Sequence, residues 1–225
     1  MIPLLILRPE RGAVATAKRA EALGLSPMIR SLFKVVPRAW DAPDPALFDS
    51  VLLTSANAVR YGGSAVALYR NLPVFAVGAA TAQAAREAGF ATVAEGEGNA
   101  ADTIRAMGKA RYSRPLHLAG EDRVPYPHVP FTVTARVVYV ADQTDVELPK
   151  GRYAALVHSA RAAARFADLC PSHALVDVVA ISASVAEAVG TGWRTLATAD
   201  APADQAMLAL AALLCKGKSI AGGKN

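Results

Sequence analysis

Small and hydroxyl-bearing residues follow several apolar segments of the sequence. In VLLTSANAV (51–59) a short apolar run stops at Thr54 and Ser55, and a small-residue segment begins at once. Turns of this kind are predicted at Ser55, Gly78, Gly120, Ser159 and Ser182. A strand-to-helix turn presents unpaired N–H groups and the positive end of a helix dipole, and small residues let a ligand approach. Helix capping is the plainer explanation of any one serine, but the five turns together predict a site for a polyanionic small molecule.

These turns recur along the chain as a repeat. Ser159, in ALVHSARAA (155–163), follows Ser55 at the same distance at which Ser182 follows Gly78. Two consecutive strand–turn–helix units therefore share one spacing, which indicates a duplicated structural unit.

The elements that position these turns alternate between short apolar strands and Ala-rich helices. The predicted strands are 2–7, 50–54, 73–77, 91–94, 115–119, 153–158, 176–181 and 194–198, and the predicted helices are 12–23, 56–69, 79–88, 99–108, 160–168, 183–190 and 202–215, the last capped by Asp200. Strands separated by helices in this way are typical of βαβ units and parallel sheets.

Two longer extended stretches, 27–36 and 132–144, lie on either side of the first copy of the repeat. If the chain leaves one domain along the first and returns along the second, the first domain is discontinuous and comprises 1–36 plus 143–225. The second domain is then 38–141, and two antiparallel strands link them. The first strand is expected to share a sheet with the strands of 153–198.

Composition limits the classes of function. The 225 residues are 53% hydrophobic and 19% charged, as in a globular protein with a substantial core. The net charge of +5 includes Lys216, Lys218 and Lys224 in a Gly/Lys-rich tail (216–225) that we expect to be disordered, and no stripe of basic and aromatic residues suggests nucleic-acid binding. No leader or membrane segment is recognised, and the isolated Cys170 and Cys215 are typical of buried, reduced thiols in a cytoplasmic protein.

The usual catalytic arrangements are not recognisable. The four histidines are scattered and read as solvated or core residues, and neither paired carboxylates nor metal-ligand spacings are found. GxGxxG and GKS/GKT motifs are missing too, so we expect neither a metal nor another cofactor.

Several segments resemble the uroporphyrinogen-III synthase family over nearly the whole chain. They are ILRPERGAVATAKRAEALG near the start, LTSANAV, FAVGAATAQAAREAGF (75–90), LHLAGEDR (116–123), VVYV (137–140) and VHSARAAARF. The resemblance implies an α/β fold of two parallel-sheet domains joined by a two-stranded linker, in a monomer that acts without cofactor.

The resemblance also implies a reaction and its residues. The family converts hydroxymethylbilane, a linear tetrapyrrole octacarboxylate, to uroporphyrinogen III with loss of water and inversion of ring D, a task of holding a conformation more than of supplying a nucleophile. The resemblance further suggests a transient contact with the preceding enzyme of the pathway. By this resemblance Tyr139 is the catalytic candidate, and the substrate-binding candidates are Arg8, Ser55, Asn57, Gly78, Thr81, Gly120, Ser159 and Ser182.

The chain departs from the family pattern at two places. Pro125, Pro127 and Pro130 predict that a helix is missing after LAGEDR, and Ser182 and Val185 stand where the family has glycine and threonine. These departures leave open a non-catalytic two-lobed binding protein for a polyanion. A nucleotide-sugar transferase with two Rossmann-like lobes is a more distant alternative.

Overall fold

The computed structural model describes residues 1–96 and 99–217, so positions 218–225 of the predicted disordered tail lie outside the described residues. The strands are β1 (Leu4–Ile6), β2 (Pro27–Ile29), β3 (Phe33–Pro37), β4 (Ser50–Leu53), β5 (Val74–Val77), β6 (Val93–Gly96), β7 (Pro115–Gly120), β8 (Thr134–Gln143), β9 (Tyr153–Val157), β10 (Val176–Ala180) and β11 (Thr195–Thr198). The α-helices are α1 (Glu10–Ala22), α2 (Ala56–Tyr61), α3 (Ala79–Glu87), α4 (Ala100–Lys109), α5 (Ala160–Leu169), α6 (Ala183–Val189) and α7 (Asp204–Cys215).

The chain divides into two compact units. The outer unit is Met1–Lys34 together with the chain from Gln143 onward, and the inner unit is Val35–Asp142.

The outer unit contains a five-stranded sheet in the order β11-β10-β9-β1-β2, and all its pairs are parallel. The predicted sharing of a sheet by the first strand and the C-terminal strands is therefore confirmed. Every residue of β9 and β10 is buried, as expected for parallel strands covered on both faces. Side chains of α1 and α7 pack on one face, with Leu4, Ile6 and Leu156 at the centre of the core.

The inner unit contains a six-stranded sheet in the order β3-β8-β7-β4-β5-β6. The pairs within β8-β7-β4-β5-β6 are parallel. Beside them β3 and β8 run in opposite directions, since Leu32 accepts from the N–H of Thr144 while Arg38 donates its N–H to Val138. The parallel sheet of the outer unit and the mainly parallel sheet of the inner unit agree with the predicted fold class.

The extended stretch predicted over 27–36 is wrong as a single element. Residues 27–29 form β2 in the outer sheet, and β3 begins only at Phe33. The chain thus leaves one sheet and enters the other within a few residues.

Two predicted helices also differ from the structure. The helix predicted over 56–69 ends at Tyr61, because Gly63 has φ of 72° and a 3₁₀ turn over Ser64–Tyr69 follows. The last helix begins at Asp204 with Ala203 at its N-cap, so Asp200 does not cap it. This shift places the Asp204 carboxylate in the first helical turn.

The segment 121–133 contains neither helix nor strand, which confirms the predicted missing helix. Its apolar side chains cover the sheet instead: Tyr126, Val129, Phe131 and Val133 pack against Leu52, Ile104 and Met107. Within the described residues, no helix is both long and apolar enough to cross a membrane.

Candidate functional site

A cavity of about 200 Å³ lies in the inner unit beyond the carboxyl ends of β4 and β7. This is the edge at which parallel α/β sheets bind ligands. The cavity is lined by Thr54, Ser55, Ala100, Ile104, His117, Asp122, Arg123, Val124, Pro125, Tyr126 and Tyr139. It combines hydroxyl donors and a guanidinium with an apolar flank from α4 and the 121–133 segment.

Tyr139 reaches the cavity through an irregularity of the sheet. Ala119 pairs with Val137 but Gly120 pairs with Tyr139, so β8 carries an extra residue at this point. A bulge of this kind redirects the side chains that follow it. The half-buried ring lies over Gly120, where a Cβ would stand 2.6 Å from the tyrosine Cζ. Glycine at 120 therefore makes room for the Tyr139 ring.

Ser55 and Asn57 form the turn after β4. The Oγ of Ser55 accepts a hydrogen bond of 3.2 Å from the N–H of Asn57, which caps the short helix α2. A serine hydroxyl that accepts one bond keeps its own proton for another partner. Ser55 and Tyr139 line the same cavity. Asn57 is not part of the lining, and it contacts the lining residue Ser55 through the hydrogen bond from its N–H.

Gly78 and Thr81 stand at the end of the neighbouring strand, β5, and do not line the cavity. Gly78 has φ of 79°, a conformation that favours glycine, and no atom lies within 4 Å of the position of a Cβ there. Thr81 is buried in the first turn of α3, and its N–H donates to the carbonyl of Gly78. The glycine leaves open space at the start of α3.

A hydrogen-bonded trio in the cavity wall was missed at the level of sequence. His117 lies within β7 and is only 2% exposed. One ring nitrogen, Nε2, is 3.0 Å from Thr54 Oγ1, and the other, Nδ1, is 2.8 Å from the hydroxyl of Tyr126. Burial and, to a smaller degree, the Arg123 charge lower the pKa of His117 to about 4, so the imidazole is neutral at pH 7. A histidine inside the apolar run PLHLAG was the available signal, since a buried imidazole needs partners.

Arg8 in the outer unit is held by a carboxylate of the same unit. Its Nη1 lies 3.2 Å from Asp204 Oδ1, and the same carboxylate accepts from Arg19 (2.6 Å) and Thr16 (2.7 Å) and contacts His158 (2.9 Å). Burial raises the pKa of Asp204, but hydrogen bonds from His158, Thr16 and Arg19 and the Arg8 charge outweigh it and bring the pKa to about 2. Arg8 remains one-third exposed at the end of β1.

Ser159 and Ser182 begin helices of the outer unit. Ser159 Oγ accepts a 3.2 Å bond from the N–H of Ala162 and caps α5. Ser182 stands at the N-cap of α6 without capping it, and its hydroxyl lies 3.0 Å from that of Ser184. The capping explanation therefore holds for Ser159 but not for the Ser182 side chain.

Cys170 and Cys215 are free and buried, which agrees with the predicted reduced thiols. Among the residues that the structure describes, no group of three or more His, Cys, Asp or Glu side chains could hold a metal ion.

Two compact α/β units, and a hydroxyl-rich cavity at the carboxyl edge of one sheet, define the class as an α/β protein built on parallel β-sheet pairing. The family model described as uroporphyrinogen-III synthase HemD matches residues 14–209. The chain belongs to that family.

Solved structures support the fold. The chain is similar to uroporphyrinogen-III synthetase from Helicobacter pylori 26695, with a TM-score of 0.69 and 18% identity over 95% of this chain and 100% of that chain. A mutant uroporphyrinogen III synthase from the extremely thermophilic bacterium Thermus thermophilus gives a TM-score of 0.53 and 15% identity over 95% of this chain and 99% of that one. No curated protein sequence gave a significant match.

Proposed function

We propose that this chain is an active uroporphyrinogen-III synthase, a hydro-lyase of tetrapyrrole and heme biosynthesis. It cyclises hydroxymethylbilane to uroporphyrinogen III with loss of water and inversion of ring D. The observation that carries the proposal is the family match over residues 14–209, which spans both units. The cavity that holds Tyr139 and Ser55 agrees with it.

In the proposed mechanism Tyr139 assists the departure of the hydroxyl group. Its phenol donates a proton to that hydroxyl, the C–O bond breaks and water leaves. Electrons of the pyrrole nitrogen form the new exocyclic double bond, and the pyrrole N–H proton returns to the phenolate, which gives the neutral azafulvene.

The azafulvene is attacked by the substituted carbon of ring D. The ring D N–H proton passes to the nitrogen of the former azafulvene, which leaves a neutral spiro pyrrolenine. The bond from the attacking ring D carbon to its original methylene then breaks, and the N–H proton of the neighbouring ring returns to ring D, so that a second azafulvene forms at that methylene. The unsubstituted α-carbon of ring D attacks this methylene and its proton passes to the azafulvene nitrogen, which closes the macrocycle with ring D inverted.

Apart from this proton transfer, the proposed role of the protein is to position the bilane. The bilane carries eight carboxylates and closes by itself to the uninverted isomer, so the protein has to hold a conformation that favours attack at the substituted carbon. We propose that Ser55, Asn57, Gly78, Thr81 and Gly120 of the inner unit contribute to this binding. Arg8, Ser159 and Ser182 contribute from the outer unit.

The proposal extends to organisation. The domains are 1–36 plus 143–225 and 38–141, in a cytoplasmic monomer without a cofactor. The division of the chain into two compact units supports these domains, and the buried free cysteines support the proposed compartment.

The test is the rate at which freshly generated hydroxymethylbilane disappears with and without the protein. Consumption that increases in proportion to protein concentration is expected. A rate equal to that of the spontaneous closure, together with saturable binding of the bilane, would favour the non-catalytic binding protein instead. The helix-free segment 121–133 and the serine at position 182 are the features that would suit that alternative.

A further inference from the structure

The Thr54–His117–Tyr126 trio joins two distant parts of the inner unit at the cavity. Thr54 follows β4, His117 lies in β7, and Tyr126 belongs to the helix-free segment 121–133. The rings of His117 and Tyr126 also meet edge to face, with centroids 5.7 Å apart. All three side chains line the cavity.

A neutral imidazole in this position couples the two hydroxyls. It carries one N–H, so it donates to one hydroxyl and accepts from the other. If Nδ1 carries the proton, the imidazole donates to Tyr126, and Thr54 donates to Nε2. The Tyr126 proton is then free for another acceptor. In the other tautomer the roles are reversed, and the Thr54 proton is the free one. In either tautomer one hydroxyl proton at the cavity wall is not used by the trio.

The surroundings of Tyr126 favour an anionic acceptor for that proton. Arg123 lies beside it, close enough to hydrogen-bond the Tyr126 hydroxyl and to lower the pKa of His117 by its charge. The Ser55 hydroxyl, on the same cavity wall, adds a further donor. The cavity lining also contains one carboxylate, Asp122, but the charged group that reaches the Tyr126 hydroxyl is Arg123. A ligand carboxylate accepts hydrogen bonds from hydroxyls and is attracted by this guanidinium.

We propose that His117 is a positioning residue that, as the Nδ1–H tautomer, directs the Tyr126 hydroxyl proton toward one carboxylate arm of the bilane, bound beside Arg123. The inference rests on the proposed function for the identity of the ligand. Tyr126 is then a specificity-determining contact in a segment that departs from the family pattern. Binding of the arm selects the tautomer with Nδ1–H.

The first experiment separates binding from chemistry. Tyr126→Phe keeps the ring that packs on His117 and removes only the hydroxyl. It is expected to raise KM for hydroxymethylbilane about tenfold and to change kcat less than twofold, because a hydrogen bond to a charged group is lost in ground state and transition state alike. Tyr112→Phe is the matched control, since Tyr112 packs on Phe75 in the same apolar cluster outside the cavity. Its KM should stay at the wild-type value.

The second experiment measures the tautomer of the His117 imidazole. Histidine ring ¹⁵N shifts are recorded before and after saturation with uroporphyrin III, the stable oxidised octacarboxylate, and His117→Gln assigns the signals. We expect the Nδ1 and Nε2 shifts of His117 to move in opposite directions as one tautomer is selected. Tyr126→Phe should abolish this change, which a merely structural histidine would not show.

The outcomes distinguish this inference from the proposed function. An active protein in which Tyr126→Phe behaves as Tyr112→Phe, or in which uroporphyrin III leaves the His117 shifts unchanged, overturns the inference alone. A wild-type protein without turnover that still shows the tautomer shift and weaker uroporphyrin III binding in Tyr126→Phe contradicts the proposed function and supports the inference. If the wild-type protein does not bind uroporphyrin III at all, the inference is overturned.

Discussion

At the scale of single residues, the proposed chemistry depends on the Tyr139 phenol and on Gly120, which lies beneath its ring. Tyr139 lines the cavity because a bulge in β8 redirects it and because Gly120 has no side chain under the ring. The ring of Tyr61 lies nearby, with its centroid 6.5 Å from that of Tyr139, outside the cavity lining. Because the two rings are neighbours, Tyr61→Phe is a matched control for Tyr139→Phe.

Tyr139→Phe should lower kcat by about a hundredfold, the low end of the ~10²–10⁴ range typical of general acid assistance. Dehydration also proceeds without help, so some activity and the preference for isomer III should remain. The free energy of unfolding should barely change, because the ring packing is kept. Initial rates of Tyr139→Phe and Tyr61→Phe measured side by side check this. Equal rates in both variants would reduce Tyr139 to a packing residue.

Gly120→Ala should lower both activity and stability. The new Cβ would stand 2.6 Å from Cζ of Tyr139, and overpacking of this kind typically costs about 1–3 kcal/mol. The diagnostic measurement is a double-mutant cycle by chemical unfolding. In a Tyr139→Ala background, where the ring is gone, the same glycine substitution should cost much less. A cost that persists there would place the strain elsewhere.

At the scale of elements, the His117 hydrogen bonds tie the helix-free segment 121–133 to β4 and β7. The groups that face the imidazole are Thr54 from the turn after β4, and Tyr126 and Arg123 from that segment. This contact has a measurable pH dependence because the buried imidazole resists protonation.

The inner unit should lose stability in mild acid. The pKa of His117 is lowered from 6.5 to about 4, so between these values the unfolded chain binds a proton that the folded chain does not. Stability therefore falls as pH decreases through this window, by about 2 kcal/mol between pH 7 and 4.5. Urea unfolding followed by Trp40 fluorescence in a Trp193→Phe background reports on this unit. His117→Gln should remove most of the dependence, and a parent protein equally stable at both pH values would contradict the assignment.

The elements themselves were largely predictable, for stated physical reasons. Parallel strands buried on both faces give continuous apolar runs, so β9 and β10 could be predicted from the sequence. The absence of a helix from 121–133 could also be predicted, because three prolines lie in that segment. The break after Tyr61 was missed although Gly62 and Gly63 mark it. The Thr54–His117–Tyr126 trio could not be predicted, because it depends on contacts between residues far apart in the chain.

At the scale of the whole molecule, each unit has a polar network of its own: the Asp204 network lies in the outer unit and the Thr54–His117–Tyr126 trio in the inner unit. Asp204 connects Arg8, Arg19, Thr16 and His158 within the outer unit. Each unit also contains one of the two tryptophans, Trp193 in the outer and Trp40 in the inner unit.

The proposed domain division predicts that damage to one network stays in one domain. Asp204→Asn should lower the stability reported by Trp193 by about 1–2 kcal/mol, since the loss of the charge leaves Arg8 and Arg19 without their carboxylate and partial exposure screens the effect. The transition reported by Trp40 should not move. Single-tryptophan variants Trp40→Phe and Trp193→Phe make the comparison. Equal shifts of both transitions would indicate one cooperative unit.

The isomer composition of the product distinguishes the proposed activity from spontaneous ring closure. Hydroxymethylbilane that closes without help gives the uninverted isomer I, whereas the proposed activity inverts ring D. With increasing protein, chromatography of the oxidised products should show isomer III rising until it predominates, and with heat-denatured protein isomer I alone. Isomer I as the sole product at every concentration of folded protein would contradict the account.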